Sequence, residues 1–198
     1  MSGEELSQRP DLNPCELVNG KVVLLNPAEI VQGMITADLG SELAKWNDSH
    51  QQGEVLMGGV GLYIRYSPDT VRATDLLYIS NDRYARQGAS EFLDVAPELV
   101  IEIIAPVDLW TDVIAKLDDY FFVGVDRVWV VDPKLHRVFA YRSMTEAQQF
   151  KDGDVLVDEE LLPGFRLPIT DLFRGELDSA RSASNSTRPP LDDLGNPP

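Results

Sequence analysis

The apolar positions change period several times along the chain, and each change predicts an element. Glu16-Leu17-Val18-Asn19-Gly20-Lys21-Val22-Val23 reads as two short strands around an Asn-Gly turn, a pair of residues that tolerates positive φ in a tight hairpin. Pro27 opens a helical stretch, where a missing N–H does no harm. Ile30, Met34, Ile35, Leu39, Leu43 and Trp46 then share one stripe, and the helix is expected to end near Trp46. Val60, Leu62, Ile64 and Tyr66 alternate with Gly61, Tyr63 and Arg65, as in a half-buried strand. A Ser67-Pro68-Asp69 turn leads to a second strand over about 71–79. Residues 80–96 are polar and irregular and predict a loop with a helical turn.

The run 99–104 is continuously apolar around one acid, Glu102, and suits a central strand covered on both faces. Asp108 or Thr111 can cap the helix that follows, with Leu109, Val113, Leu117 and Phe121 as its stripe and Gly124 as its end. Residues 128–131 form another buried-type strand, Asp132-Pro133-Lys134 turns the chain into a strand over 137–141, and a last short strand lies near 155–157. The order predicts an α/β sandwich around a mixed sheet. Residues 1–13 lack periodicity and are expected to be a flexible segment. Residues 176–198, rich in Ser, Pro, Asn and Asp, are expected to be a disordered tail, which leaves one domain over 14–175.

Composition narrows the chemistry. The 198 residues are 43% hydrophobic and 25% charged, an ordinary globular balance, but 33 acids face 17 bases for a net charge of -16. The tail explains only -2 of this, with four acids and two arginines, so the rest of the chain is itself acidic. Such a protein gains nothing from long-range attraction to phosphate. That argues against a nonspecific nucleic-acid coat and leaves room for an enzyme that meets nucleic acid through a local patch or a metal. The single cysteine, Cys15, permits neither an internal disulfide nor a cysteine zinc site and reads as a small apolar filler. His50 and His136, both in polar turn-like stretches, give a histidine triad little to draw on. No apolar run is long enough to span a bilayer and the N-terminus is polar and acidic, so the expectation is a cytoplasmic protein with no membrane partner.

Glu102 stands out because burying a lone carboxylate costs several kcal/mol, roughly, unless it is paired or bound to a cation. Its alternative is a strand end facing water. Asp75, in Arg72-Ala73-Thr74-Asp75-Leu76-Leu77-Tyr78-Ile79, raises the same question, with the alternative that Thr74-Asp75 begins the strand. Two carboxylates on neighbouring strands would make a hard-oxygen site suited to Mg²⁺ or Mn²⁺. Asp112, Lys116 and Tyr120 fall at i, i+4 and i+8 on one helix edge. Asp112 and Lys116 could be an ordinary exposed pair. If the helix packs on the strand before it, Lys116 could instead lean toward Glu102, position a water and stabilise developing charge. Gly58-Gly59-Val60-Gly61 lacks the setting of a phosphate loop and reads as a strand bend. Tyr63, Arg65, Tyr66 and Arg72 could touch nucleic acid, though an ordinary sheet face is favoured; Trp129 and Phe121 read as core.

Several segments together resemble one family. They are Glu16-Leu17-Val18-Asn19-Gly20, Thr74-Asp75-Leu76-Leu77, the stretch 97–106, Lys116-Leu117-Asp118-Asp119-Tyr120, the stretch 124–133 and Leu162-Pro163-Gly164-Phe165. In that order, over about residues 14–174, they are similar to the Uma-two family of restriction-endonuclease-like proteins. The resemblance implies a PD-(D/E)XK nuclease core, a mixed central sheet flanked by helices in the order αβββαβ. It implies Asp75 and Glu102 as metal ligands, with the Ile103 carbonyl as a further one, and Lys116 on the helix in the lysine role. Glu16, Asp112 and Tyr120 match supporting polar positions. Thr74 and Ala105-Pro106-Val107 depart from the pattern, and Gln32 stands where the family commonly has histidine.

Two functions follow as expectations. The first is a metal-dependent endonuclease that hydrolyses DNA phosphodiester bonds with Mg²⁺ or Mn²⁺, acting as a homodimer or higher homo-oligomer, with no other cofactor. The alternative is a catalytically inactive nuclease fold that serves as a binding or assembly module through its acidic surface. Convergence of Asp75, Glu102 and Lys116 separates them.

Overall fold

A computed structural model of the chain describes residues 1–174. Where residues 1–13 were expected to be flexible, they hold a short helix, α1 (Gly3–Ser7), closed by a capping box between Ser2 and Glu5, and a 3-10 turn at Pro10–Leu12. Leu6 is buried, and the Gly3 N–H donates to Asp69 Oδ2 at 2.8 Å. Such contacts join residues distant in sequence and leave no periodicity to read. The expected tail over 176–198 lies outside the described residues.

The hairpin forms as predicted: β1 (Cys15–Val18) pairs with β2 (Lys21–Leu24) across Asn19 and Gly20, both at positive φ. Next, α2 (Ile30–His50) starts after Pro27 and runs past Trp46. It buries Ile35, Leu39, Leu43 and Trp46, whereas Ile30 at its first turn is exposed. A long antiparallel pair follows, β3 (Gly53–Arg65) with β4 (Thr70–Ser80). The strand β3 begins well before Val60 because Gly58 and Gly59, at positive φ, form a bulge where the register shifts, and a bulge breaks the alternation that reveals a strand. The helical turn in 80–96 is α3 (Asn81–Tyr84), capped by Ser80.

Then come β5 (Leu99–Ile103), α4 (Trp110–Val123) and β6 (Arg127–Asp132). Neither Asp108 nor Thr111 caps α4. Its N-cap is Leu109, exposed rather than part of the buried stripe, and the Asp108 carboxylate accepts the Ala105 N–H instead. Gly124 ends α4 in the left-handed region, as predicted. A second hairpin joins β7 (Arg137–Ser143) to β8 (Glu146–Lys151). The sequence pattern hides β8 because it is an edge strand on which Phe150 alone is buried. Last are β9 (Val155–Leu156) and β10 (Leu167–Pro168), paired with each other, and α5 (Ile169–Leu172).

The main sheet runs β2-β1-β4-β5-β6-β7-β8, with β3 also on β4, and only β5 and β6 are parallel. The two faces carry separate cores. Leu76, Leu99, Ile101 and Trp129 pack toward α2, and Leu77, Val100 and Val130 pack toward Val113, Leu117 and Tyr120 of α4. This is the expected α/β architecture. Among the described residues no helix is long and apolar enough to cross a membrane.

One detail of the sheet positions the site. A strand has two edges, and β3 follows one edge of β4 along its length. The other edge is shared. β1 meets it at Leu17↔Val71, and β5 meets it at Leu76↔Ile101, Leu77↔Val100 and Tyr78↔Leu99. Between them, around residues 72–75, no strand among the described residues stands on this edge, and the sheet forks.

Trp129 is fully buried and packs against Phe165 with ring centroids 5.8 Å apart. Trp129→Ala is expected to cost about 3–5 kcal/mol, read as a lowered midpoint in urea denaturation.

Candidate active site

Polar side chains fill the fork. Continuing the β4–β5 register by one pair sets Asp75 opposite Glu102. On β5, Leu99, Ile101 and Ile103 face α2, so Glu102 faces α4 with Val100. Both acids are therefore interior to their strands, and the alternative of a strand end open to water does not hold for either.

The α4 side meets Glu102 completely. Lys116 Nζ lies 2.8 Å from Glu102 Oε2, and the Tyr120 hydroxyl donates to Oε1 at 2.5 Å. Lys116 and Tyr120 are one helical turn apart, so one helix edge supplies both donors. Tyr120, expected on a polar edge, is wholly buried with only its hydroxyl engaged. Lys116 also sits 3.1 Å from Glu16 Oε1 and donates to the Ala73 carbonyl at 3.4 Å. Asp112, on the same helix, is exposed on the cleft wall and outside this network.

Glu16 arrives from β1 and is 97% removed from solvent, with 3% exposure. Its Oε1 accepts the Ala73 N–H at 3.1 Å and its Oε2 pairs with Arg72 at 2.8 Å. Arg72 turns its other nitrogens to Asp119 at 2.8 Å, and Arg65 reaches Asp119 at 2.6 Å. Sequence reasoning missed Arg72 and Asp119 as parts of this site. The one available signal was Asp119 three residues after Lys116, on a neighbouring helix position. Arg65, Arg72 and Tyr63 thus do not form a nucleic-acid face. Tyr63 is buried and bonded to Asp69, Arg65 and Arg72 serve the ion network, and Tyr66 alone of the four is exposed.

Asp75 completes the fork. Its Oδ2 accepts the Ile103 N–H at 2.7 Å, and its Oδ1 accepts from Gln32 Nε2 at 3.4 Å. The same Gln32 nitrogen donates to the Ile103 carbonyl at 3.3 Å. Gln32 enters from the first turn of α2. A cleft of about 440 Å³ opens over the site, lined by Glu16, Arg72, Glu102, Ile103, Asp108 and Lys116, with Val18 and Val23 on its apolar wall.

The charges do not cancel. Asp75, Glu102, Glu16 and Asp119 set four carboxylates against Lys116, Arg72 and Arg65. Burial pushes Asp75 above the ordinary carboxylate range, against the Ile103 N–H and the Lys116 charge. Burial also pushes Glu102 up, to about 7, with Lys116 opposing and Asp75 reinforcing. Burial works to lower Lys116, but Glu102 and Glu16 outweigh it and hold the ammonium above the usual lysine value. The Tyr120 hydroxyl is likewise raised well above 10 by burial beside Glu102.

The donor set suits a hard divalent cation. Asp75, Glu102 and the Ile103 carbonyl offer only oxygen, and the cluster has one negative charge in excess. Asp75 Oδ1 and the Ile103 oxygen already converge on one electropositive point, the Gln32 amide nitrogen. Among the described residues no three His, Cys, Asp or Glu side chains group as a ready cation cage. The set here is two carboxylates and a main-chain carbonyl.

The Uma2 family, described as "Putative restriction endonuclease", matches residues 4–170 of this chain. No curated protein matches it. Among solved structures, the chain is similar to a protein of Anabaena variabilis ATCC 29413 described as a putative nuclease belonging to DUF820. The TM-score is 0.75 at 20% identity, over 88% of this chain and 98% of that one. At that identity the likeness establishes the shared fold.

Two outcomes follow from the charge network. Arg72→Met removes the cation between Glu16 and Asp119, leaving them only Lys116 and Arg65, and is expected to cost about 3 kcal/mol in chemical denaturation. Glu102 binds a proton in the folded chain at pH values where the unfolded chain has released it. Its stabilising contribution is full below the ordinary glutamate value and is lost as pH rises through about 7. Thermal melts should therefore show wild type losing stability with rising pH more steeply than Glu102→Gln across that window. Parallel profiles would assign the titration elsewhere.

Proposed function

The chain belongs to the Uma2 family, and from that premise we propose that it is a divalent-cation-dependent nuclease hydrolysing phosphodiester bonds in DNA. The observation that carries the reading is the Lys116 ammonium, 2.8 Å from Glu102 in a cleft that Ile103 also lines, with Asp75 bonded to the Ile103 N–H at 2.7 Å. Asp75, Glu102 and the Ile103 carbonyl would hold Mg²⁺ or Mn²⁺, which supplies Lewis acidity toward the scissile phosphate and a water of lowered pKa.

The chain's own residues divide the remaining work. Lys116 is held protonated by two carboxylates, so it does not abstract a proton. Its role is to place positive charge beside the phosphoryl oxygens as negative charge develops, and to hold a water by hydrogen bonding. Glu16 fixes the direction of the Lys116 side chain from behind, and Tyr120 fixes the Glu102 carboxylate. Arg72 holds Glu16 and thus acts on Lys116 at one remove. The reading includes a cytoplasmic homodimer: a net charge of -16 gives a lone protomer no attraction for DNA, and two protomers can frame a groove around the cleft.

One observation favours a second reading, a noncatalytic binding or assembly module. Both Glu102 oxygens already have donors, so the pair with Lys116 can serve as a structural ion pair.

Cleavage of single- and double-stranded DNA with Mg²⁺ or Mn²⁺ separates the two. Wild type should cut, and Lys116→Ala and Glu102→Ala should each lose about 10²–10³-fold or more with folding intact. Wild type that cuts neither substrate, or variants that cut equally well, would sink the nuclease reading and leave the binding module.

A further inference from the structure

Gln32 has no part in the chemistry above, yet its amide nitrogen touches two of the three oxygen groups assigned to the cation. Nε2 lies 3.4 Å from Asp75 Oδ1 and 3.3 Å from the Ile103 carbonyl. Both partners are acceptors, so without a cation the amide must turn its NH₂ toward them. A cation between the same oxygens reverses that requirement. It repels the NH₂ and attracts the amide oxygen, itself a hard ligand.

We propose that Gln32 is an amide ligand of the cation, which turns its side-chain amide over when the cation enters, so that Oε1 takes the place Nε2 holds now. The inference rests on the nuclease reading, in that it takes Asp75 and the Ile103 carbonyl as cation ligands. Three features support it. The two existing hydrogen bonds are long, beyond the usual 2.7–3.2 Å or so for N–H···O, so little is lost when the amide turns. Rotation about the terminal torsion exchanges O for N with no movement of α2, whose first turn carries Gln32 and whose Thr36 hydroxyl bonds the Gln32 carbonyl at 2.8 Å. Neighbouring oxygens around a six-coordinate Mg²⁺ with bonds of ~2.1 Å stand ~3 Å apart, close to the separations the Gln32 nitrogen already keeps.

The contrary view makes Gln32 a plug, a donor that a cation must expel. The two predict opposite signs. Replacing a plug with an apolar side chain of similar length strengthens cation binding, and replacing a ligand weakens it.

The experiment is Mn²⁺ binding by calorimetry or by the electron paramagnetic resonance of free Mn²⁺, without DNA, on wild type, Gln32→Met and Asp75→Asn. Wild type should bind, Asp75→Asn should lose binding, and Gln32→Met should bind at least about tenfold more weakly. If Asp75→Asn loses binding but Gln32→Met binds as tightly as wild type or more tightly, Gln32 is not a ligand and the nuclease reading stands. If wild type binds no Mn²⁺, both fall. Should Gln32→Met not fold, the side-chain amide resonances of Gln32 in wild type decide the point. On adding Mg²⁺ the Gln32 side-chain carbonyl carbon should shift as Oε1 takes the cation, and a carbonyl carbon that stays in place while the NH₂ resonances move marks a plug and overturns the proposal.

Discussion

Everything at the candidate site depends on a gap in the sheet. β4 cannot pair with β1 and β5 at the same place, and where the two part, main-chain groups of β4 and β5 need other partners. Side chains supply them. Glu16 takes the Ala73 N–H, Lys116 the Ala73 carbonyl, Asp75 the Ile103 N–H and Gln32 the Ile103 carbonyl. Asp75 and Lys116, which could perform chemistry, are thus among the groups that satisfy the backbone of the fork. This explains how Glu16, Lys116 and Asp75 persist beside a hydrophobic core: each is anchored by a peptide group that would otherwise be unsatisfied, while Glu102 is held by Lys116 and Tyr120.

The anchoring also fixes the order of the charges. Linked pair by pair run Arg65, Asp119, Arg72, Glu16, Lys116 and Glu102, alternating in sign at every step, with Glu16 the most buried and Glu102 at the cleft. Alternation keeps Lys116 protonated and aimed at Glu102, while the excess of carboxylates appears at the cleft end, near Asp75. The row stabilises the cationic form of the lysine and leaves the acids short of positive charge. A closed set of ion pairs would carry no such excess of carboxylate.

Much of this was legible in the sequence because strand and helix periods are simple. An acid inside the run 99–104 can only face one layer or the other, and the helix that follows places Lys116 and Tyr120 on one edge. The hairpin at Asn19-Gly20 and the helix stop at Gly124 were readable from backbone chemistry alone. What escaped has a common cause. Arg72 and Asp119 look like surface residues until the fork brings β1, β4 and α4 together, and no local pattern records that meeting. Gln32 is polar on an amphipathic helix and gives no signal of its own. The strand β8 and the first half of β3 escaped because an edge position and a two-glycine bulge remove alternation. Residues 1–13 make their contacts with Tyr63 and Asp69, far along the chain.

The attachment of the β1–β2 hairpin has its own consequence. It meets the rest of the sheet at one main-chain pair, Leu17↔Val71, beside a small apolar cluster of Leu6, Leu17, Tyr63 and Val71. Glu16 adds hold through charge, and the turn adds hydrogen bonds from Asn19 N–H to Thr70 Oγ1 and from Gly20 N–H to the Asp69 carbonyl. The hairpin is therefore a cooperative unit of low local stability docked on a more stable body, and hydrogen exchange should open it ahead of β4 to β6. In such a protein the loss of the site and the loss of the fold are separate events. Lifting the hairpin would withdraw Glu16 from Arg72 and Lys116 and leave the two larger cores in place.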